Sequence, residues 1–230
     1  MRQRLRGYRN KKETFREKSN KVKLEDKIME MKNEMYLFDL ENGDIVGVDE
    51  AGRGPLAGPV VAAAVKLKEY DERLAKINDS KKLSEKMRES LFDVVLSSFH
   101  VGVGIATVEE IDEINILNAT FLSMRRALED LSQEIEIKKV LVDGNHKIRE
   151  YSGDQEPVIK GDAKSLSIAA ASIIAKVTRD RIMVATEGKY PGYGLAKHKG
   201  YGTKVHREAI LEKGATEIHR KSFLKKILGE

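Results

Sequence analysis

The sequence predicts an α/β protein, on three observations. Short apolar runs rich in β-branched residues recur at Ile45 to Val48, Pro59 to Leu67, Val101 to Ala106 and Val140 to Val142. Runs of that length, bounded by turn residues, read as buried strands. Longer stretches carry apolar residues at helical spacing, as in Leu24, Ile28, Met31, Met35 and Phe38, which form one stripe of a helix. The 18 glycines against 4 prolines, with 40% hydrophobic residues, suit a packed domain rather than a disordered chain. A length of 230 residues fits one ordinary domain with appendages.

In chain order, residues 1 to 23 form a basic, apolar-poor arm, with ten Lys and Arg against Glu13 and Glu17. Such an arm is expected to be solvated and can add non-specific phosphate contacts. The stripe from Leu24 to Phe38 follows and is expected to dock on the domain's own core. Glu41-Asn42-Gly43-Asp44 then turns the chain into a first strand that should stop at Val48. Asp49 and Glu50 come next. Side chains alternate along a strand, so the two acids can share a site only if the strand terminates there, and Gly52 and Gly54 supply the break. Gly52-Arg53-Gly54 leaves bare N–H groups beside a fixed positive charge, a loop able to approach a sugar or phosphate closely.

Pro59 to Leu67 is the second strand. A polar loop from Asn78 leads to Ser84, a candidate N-cap for a helix carrying Met87, Leu91, Val94 and Val95. After the third strand, Val101 to Ala106, Thr107 and Glu110 have capping-box spacing, and Ile114 to Leu131 continues as helix. Val140 to Val142 is a fourth strand ending in Asp143-Gly144, and Pro157 to Lys160 is a fifth, ending at Gly161-Asp162. Ala163 to Arg181, rich in small residues, should be the most buried helix. Glycines, tyrosines and bases then concentrate in residues 190–194 and 198–203, with Thr203 capping a helix through Leu211 and a terminal helix at Ser222 to Leu228. Short links allow the first three strands an antiparallel meander, whereas the later ones need helical crossovers and should be parallel.

Four acids stand at element ends: Asp49, Glu50, Asp143 and Asp162. Strand ends of one sheet can converge, and open α/β sheets place their sites at carboxyl ends. Clustered carboxylates raise one another's pKa unless cations bind between them, and hard oxygen donors favour Mg²⁺ or Mn²⁺. Two ions about 4 Å apart could activate a water and stabilise the leaving oxygen of a phosphodiester. Each acid taken alone reads equally as a turn or cap residue, Asp162 above all. Asp180 reads as a helix-surface ion pair, Tyr193 as structural, and His100 and His198 as structural or surface residues. The chain has no cysteine, which excludes disulfides and thiolate metal sites. No nucleophile elbow or P-loop occurs. A net charge of +5 favours nucleic acid over membrane as partner, and with no long apolar run the protein is expected to be soluble and cytoplasmic.

Val48-Asp49-Glu50-Ala51-Gly52-Arg53-Gly54-Pro55-Leu56-Ala57-Gly58-Pro59-Val60-Val61 closely resembles the opening signature of ribonuclease HII, the type 2 ribonucleases H. The resemblance spans roughly Asp44 to Phe223. It implies a ribonuclease H-like mixed five-stranded sheet flanked by helices, with a C-terminal helical substrate-binding part. Residues 1–40 would then be a basic arm and amphipathic helix, and residues 41–230 the catalytic domain with its helical extension. The implied activity is endonucleolytic cleavage of the RNA strand in RNA/DNA hybrids, and nicking 5′ to single ribonucleotides in duplex DNA, leaving 3′-hydroxyl and 5′-phosphate ends.

The resemblance assigns Asp49, Glu50, Asp143 within Val-Asp-Gly, and Asp162 within Lys160-Gly161-Asp162-Ala163-Lys164-Ser165 as catalytic metal ligands for Mn²⁺ or Mg²⁺. Asn78, Ser80 and Lys81 match a stretch that touches backbone phosphates. Gly52, Arg53 and Gly54 would read the 2′-hydroxyl and hold a phosphate. Lys199-Gly200-Tyr201-Gly202 resembles the loop whose tyrosine packs on the sugar beside the ribonucleotide, which makes Lys199 and Tyr201 substrate-binding candidates. A monomer is expected. Another metal-dependent nuclease of the same fold, such as a resolvase or transposase, is the alternative, but it has no evident need for the paired Gly-Arg-Gly and Lys-Gly-Tyr-Gly loops. A catalytically silent binder is disfavoured by the intact acids.

Deleting residues 2 to 23 is expected to flatten the dependence of nucleic-acid binding on salt, read as the slope of log K against log salt concentration. An unchanged slope would show that the arm makes no phosphate contact.

Overall fold

The computed structural model describes residues 34–77 and 83–229. The basic arm, the start of the apolar stripe (Leu24, Ile28 and Met31) and the candidates Asn78, Ser80 and Lys81 lie outside the described residues. Helix α1 (Glu34–Asn42) ends where Gly43, at φ 85°, donates its N–H to the Asp39 carbonyl at 3.1 Å. The chain then enters β1 (Ile45–Ala51) and β2 (Val60–Leu67), followed by a 3₁₀ turn at Glu72–Lys76. Next come α2 (Glu85–Ser98), β3 (Phe99–Ala106), α3 (Val108–Ser132), β4 (Lys139–Asp143) and β5 (Gln155–Val158). A 3₁₀ turn at Gly161–Ala163 leads into α4 (Leu166–Thr186). The short α5 (Leu195–His198), α6 (Lys204–Lys213) and α7 (Lys221–Leu228) complete the fold.

The five strands form one sheet in the order β3-β2-β1-β4-β5, antiparallel across β3-β2-β1 and parallel across β1-β4-β5. This is the mixed sheet the sequence predicts, with the meander first. The expected N-caps hold as well. Ser84 accepts from the Met87 N–H at 3.2 Å, Thr107 and Glu110 close a capping box, and Thr203 accepts from the His206 N–H at 3.3 Å.

Helices cover both faces of the sheet. α4 and α2 pack on one face, joining Ala63 and Val65 to Leu91, Val95, Ala170 and Ile174. α3 packs on the other, joining Val46, Val48, Ala62 and Ala64 to Phe121, Met124 and Leu128. The C-terminal helices close a smaller core of their own around Leu56, Met183, Tyr193, Leu195, Ile210 and Leu224. As predicted from its small residues, α4 is buried along most of its length. No helix among the described residues is long and apolar enough to cross a membrane.

Three details differ from the sequence-based expectation. First, β1 does not stop at Val48. It runs on through Asp49 and Glu50 to Ala51, held by antiparallel pairing of Asp49 with Ala63 and Glu50 with Ala62, and the glycine break falls one residue beyond. Second, β4 and β5 are parallel without a helix between them. The side chain of buried Gln155 takes the place of a crossover helix in ordering the link: it accepts from the Ile148 N–H at 2.7 Å and donates to the carbonyls of Ile148 and Tyr151 at 3.1 and 3.0 Å. Third, β5 ends at Val158, two residues before the expected Lys160, which sits instead in a left-handed conformation at φ 57°.

The approach of α4 to β1 depends on Gly47. A Cβ there would stand 2.3 Å from the backbone carbon of Ser167 and 2.4 Å from the Ile168 nitrogen. Gly47→Ala must therefore lift the helix off the sheet, and the expected loss is about 1–3 kcal/mol of unfolding free energy, as for other overpacked cores. Urea denaturation checks this, and an unchanged midpoint would show that the helix has room to move.

Candidate active site

The sheet brings the acids together through register rather than through a shared strand end. β1 and β4 are parallel, with Val48 beside Val142, so Asp49 and Asp143 are the next residues on adjacent strands. Strand alternation then puts both on the face that α4 covers. Glu50, paired with Ala62, points with Val46 and Val48 to the opposite face. Only 4% of Asp49 is exposed.

Burial first, then the charges of Glu50 and Asp143, push the Asp49 carboxyl well above the usual carboxylate range. Hydrogen bonds from the Ser172 hydroxyl on α4 and from the Glu50 amide, the latter at 2.7 Å, work in the other direction by favouring the anion. Asp143 Oδ1 accepts from the Gly161 N–H at 2.7 Å and the Asp162 N–H at 3.3 Å. Asp162 is itself buried in that turn. The fourth acid thus reaches the site through a backbone bridge to the third, within the 3₁₀ turn that precedes α4.

The turn is anchored from behind by a group that sequence reasoning missed. Asp39 on α1 is buried and takes hydrogen bonds from the Ser165 hydroxyl at 2.5 Å and the Ser167 N–H at 2.8 Å. Burial raises its pKa against those bonds. Ser165 also caps α4 by accepting from the Ile168 N–H at 3.1 Å.

A chemical test of metal binding starts from the donors. All four acids offer hard oxygens, and the repulsion that raises the Asp49 pKa is the kind a divalent cation relieves. The donor set therefore fits Mg²⁺ or Mn²⁺. Among the described residues no three His, Cys, Asp or Glu side chains are already closed into a group that could hold an ion, because Glu50 lies toward Arg53 at 3.5 Å and Asp143 toward the Gly161 turn.

The Gly52-Arg53-Gly54 stretch borders the acids, and the loop it opens, through Pro59, is held by two buried arginines that sequence reasoning missed. Arg220 donates to the carbonyls of Gly52, Arg53, Pro55 and Gly58 at 2.6 to 3.0 Å. Arg179 donates to Ala57 and Pro59, both at 3.0 Å. Burial, then the charge of Arg179, push the Arg220 guanidinium down to about 9, which leaves it cationic at neutral pH. The Arg53 side chain itself is half exposed. Tyr201 is 43% exposed, so its ring can meet a ligand, and a Cβ on Gly54 would lie 3.9 Å from Tyr201 Cε1. The two loops singled out in the sequence are therefore neighbours. Lys199 is turned inward: its ammonium bonds the Ala196 carbonyl and lies 3.5 Å from Glu85.

Asp180 corrects its sequence reading. It does form an i,i+4 pair with Lys176 at 2.7 Å, but it is only 7% exposed rather than on the surface. Tyr193 is structural, donating its hydroxyl to the Gly214 carbonyl at 2.8 Å. His198 belongs to a chain of three histidines, whose partners fix the tautomers. His198 accepts from the Gly200 N–H and donates through Nε2 to the Tyr193 carbonyl at 2.7 Å. His219 accepts at Nδ1 from the Thr216 N–H at 3.0 Å, so its Nε2 donates to His206 Nε2 at 3.1 Å. His206 then donates through Nδ1 to the Tyr201 carbonyl at 3.0 Å. His198 stacks on the His206 ring at 4.3 Å, and the hydrogen-bonded run from His219 through His206 ends on the backbone of Tyr201.

The family described as Ribonuclease HII has a model that matches residues 46–226. A ribonuclease HII of Fusobacterium nucleatum is 67% identical over 201 residues, covering 86% of this chain and 94% of that protein. One from Clostridioides difficile is 50% identical over 217 residues, covering 92% and 82%. Among solved structures, the ribonuclease H2 of Pyrococcus horikoshii OT3 superposes with a TM-score of 0.64 at 32% identity, covering 80% of this chain and 96% of that one.

Acid should weaken the histidine chain. Burial first, then the charges of His198 and His219, lower the His206 pKa from 6.5 to about 4, and burial lowers that of His219 too. The unfolded chain takes up a proton near pH 6.5 that the folded chain refuses until about pH 4. The stability this chain contributes is complete above pH 6.5 and is lost as pH falls toward 4. Melting temperature against pH should therefore fall more steeply over that window in the unmodified protein than in His206→Gln; equal slopes would show that His206 is not kept neutral by the fold.

Proposed function

Since the chain belongs to the ribonuclease HII family, endoribonucleases that cleave RNA in RNA/DNA hybrids, we propose that it hydrolyses the RNA strand of such hybrids and nicks 5′ to single ribonucleotides embedded in duplex DNA. The observation that supports the reading is Asp49 and Asp143 on neighbouring strands under α4, with Glu50 next along β1 and its charge felt by Asp49, beside a glycine loop that lies next to Tyr201. Acids alone would repel a phosphodiester. Acids that gather cations next to backbone donors can bind one and cleave it.

Ribonucleases H need divalent metals, and Asp49, Glu50, Asp143 and Asp162 are the residues that would hold Mg²⁺ or Mn²⁺ here. When bound, a pair of such ions supplies activation of water and stabilisation of the departing oxygen. The protein's own groups do the rest. Ser172 and the Glu50 amide orient the Asp49 carboxyl and oppose the rise in its pKa. The Gly161 and Asp162 amides fix the Asp143 carboxylate, so that side chain costs little entropy to order.

The backbone of Gly52 to Gly54 hydrogen-bonds the 2′-hydroxyl of the ribonucleotide, and the exposed Arg53 guanidinium holds an adjacent phosphate. The exposed face of Tyr201 packs on the neighbouring sugar, where a deoxyribose leaves room for the ring. Asn78, Ser80 and Lys81 would extend the phosphate contacts. Lys199 serves through its backbone carbonyl, which Arg179 holds at 2.9 Å, more than through its inward ammonium. In the reaction a water oxygen adds to phosphorus and the bond to the 3′ oxygen breaks. One proton ends on that oxygen, leaving a 3′-hydroxyl and a 5′-phosphate.

The test is incubation with a hybrid and with a duplex bearing one ribonucleotide, with Mg²⁺, Mn²⁺ or chelator. Asp143→Asn keeps the oxygen that accepts from Gly161 but loses the charge, so cleavage should drop by about three or more orders of magnitude, as for loss of a principal catalytic group, while hybrid binding persists. Tyr201→Ala should cost cleavage at the single ribonucleotide more than cleavage of the hybrid. Retained activity in Asp143→Asn would remove that residue from the chemistry, and an unchanged preference in Tyr201→Ala would remove the ring from junction recognition.

A further inference from the structure

We infer that Arg179 is a positioning residue that locks the Gly52–Pro59 loop, at its Ala57 and Pro59 end, and the Lys199–Tyr201 loop in one register, and that this register sets the preference for an RNA-to-DNA junction. The inference rests on the proposed function, which gives the first loop the ribonucleotide and the second the neighbouring deoxyribose. A junction is a fixed vector between a 2′-hydroxyl and a bare sugar. Reading it requires two contact points held at a fixed separation, not merely two competent loops.

Arg179 is the side chain that spans both loops. It is completely buried. Nε and Nη2 donate to Pro59 and Ala57 on the first loop at 3.0 Å each, and Nη1 donates to Lys199 on the second at 2.9 Å. Its guanidinium carbon also lies 5.9 Å from the centroid of the Tyr201 ring, within range of a cation–π contact. The planar fork is needed for this. A lysine would keep the charge, but its compact ammonium cannot hold three carbonyls on two segments and face a ring as well.

Arg220 makes an internal comparison. It is equally buried, yet its guanidinium bonds run to Gly52, Arg53, Pro55, Gly58 and Pro59, all on the first loop. Arg220 shapes that loop, whereas Arg179 relates it to the other. The seam between the loops is tight elsewhere too. The Leu56 N–H donates to the Gly200 carbonyl at 2.9 Å. A Cβ at Gly200, whose φ is +83°, would stand 2.5 Å from the Ala57 oxygen.

The test uses the full chain and compares kcat/KM on a duplex with one ribonucleotide against kcat/KM on a uniform RNA/DNA hybrid. Arg179→Lys should lower that ratio about tenfold, since displacement of a contact by an ångström is enough for such a loss. In a Tyr201→Ala background it should lower the ratio no further, because the register has lost its second point. Gly200→Ala keeps the buried arginine, wedges the two loops apart, and should reproduce the drop; it decides the matter if Arg179→Lys does not fold. Equal losses on both substrates would mark Arg179 as merely structural, and an unchanged ratio in either folded variant would overturn the inference. Failure of the unmodified protein to cut the single-ribonucleotide duplex is a different result: it overturns the proposed function, and the inference with it.

Discussion

Gly47 has no side chain to keep α4 away from the central strand, and the backbone of α4 lies against β1 there. That close approach lets one helix touch every part of the candidate site. Its N-cap Ser165 is bound by Asp39 and follows directly on the turn holding Asp162. Two turns on, Ser172 reaches Asp49. Lys176 and Arg179 then face the Tyr201 ring at 5.7 and 5.9 Å. Residues spaced by three and four along a helix share a face, and α4 turns that face toward the sheet end. Moving the helix outward would separate the acids from their hydrogen-bond donors and the two loops from each other in one step.

The charges around this helix are buried in opposite senses, and neither set is neutralised in the usual way. Asp49 is a buried carboxyl beside two other acids, and burial and their charges push its pKa up. Arg179 and Arg220 are adjacent cations whose positive charge is met by backbone carbonyls. Burying a guanidinium is expensive unless all its donors are used. Here the loop from Gly52 to Pro59, which forms no ladder of its own, supplies acceptors in number. The exchange explains how so irregular a loop stays in one shape: its carbonyls would be left unsatisfied anywhere else. Around Asp49 the charges of Glu50 and Asp143 add a repulsion that a cation can relieve.

The sequence made much of this legible. Period-two and period-3.6 patterns located five strands and the main helices, and Ser84, Thr107 and Thr203 were readable caps because capping is local chemistry. The antiparallel meander followed from short links, and the mixed five-stranded sheet from the family resemblance. What escaped was long-range. The sequence places the end of β1 at Val48, three residues early, whereas pairing with β2 carries the strand through Ala51. The helix-free link to β5 depends on a Gln155 side chain whose ladder role has no local signal. Arg179 sits in a run of charged residues and Arg220 beside Lys221, where a basic residue ordinarily reads as solvent-facing. Their burial is decided by a loop more than a hundred residues earlier.

The chain of neutral histidines adds a second hold on Tyr201, independent of Arg179. Arg179 grips the Lys199 carbonyl and faces the ring, while His206 grips the Tyr201 carbonyl and is itself set by His219 and Thr216. Two peptide carbonyls flanking Gly200, pinned from different elements, leave the Lys199–Tyr201 segment little freedom, which accounts for Lys199 tolerating a left-handed φ of 54°. The two holds differ in what would release them. The guanidinium stays charged at any ordinary pH, whereas the link from His219 through His206 to Tyr201 lasts only while those two rings are neutral. The acid cluster also needs a pH at which its carboxylates can ionise. Acid therefore acts against both sides of the site, on the carboxyls through charge they must gain and on His206 and His219 through charge they must not.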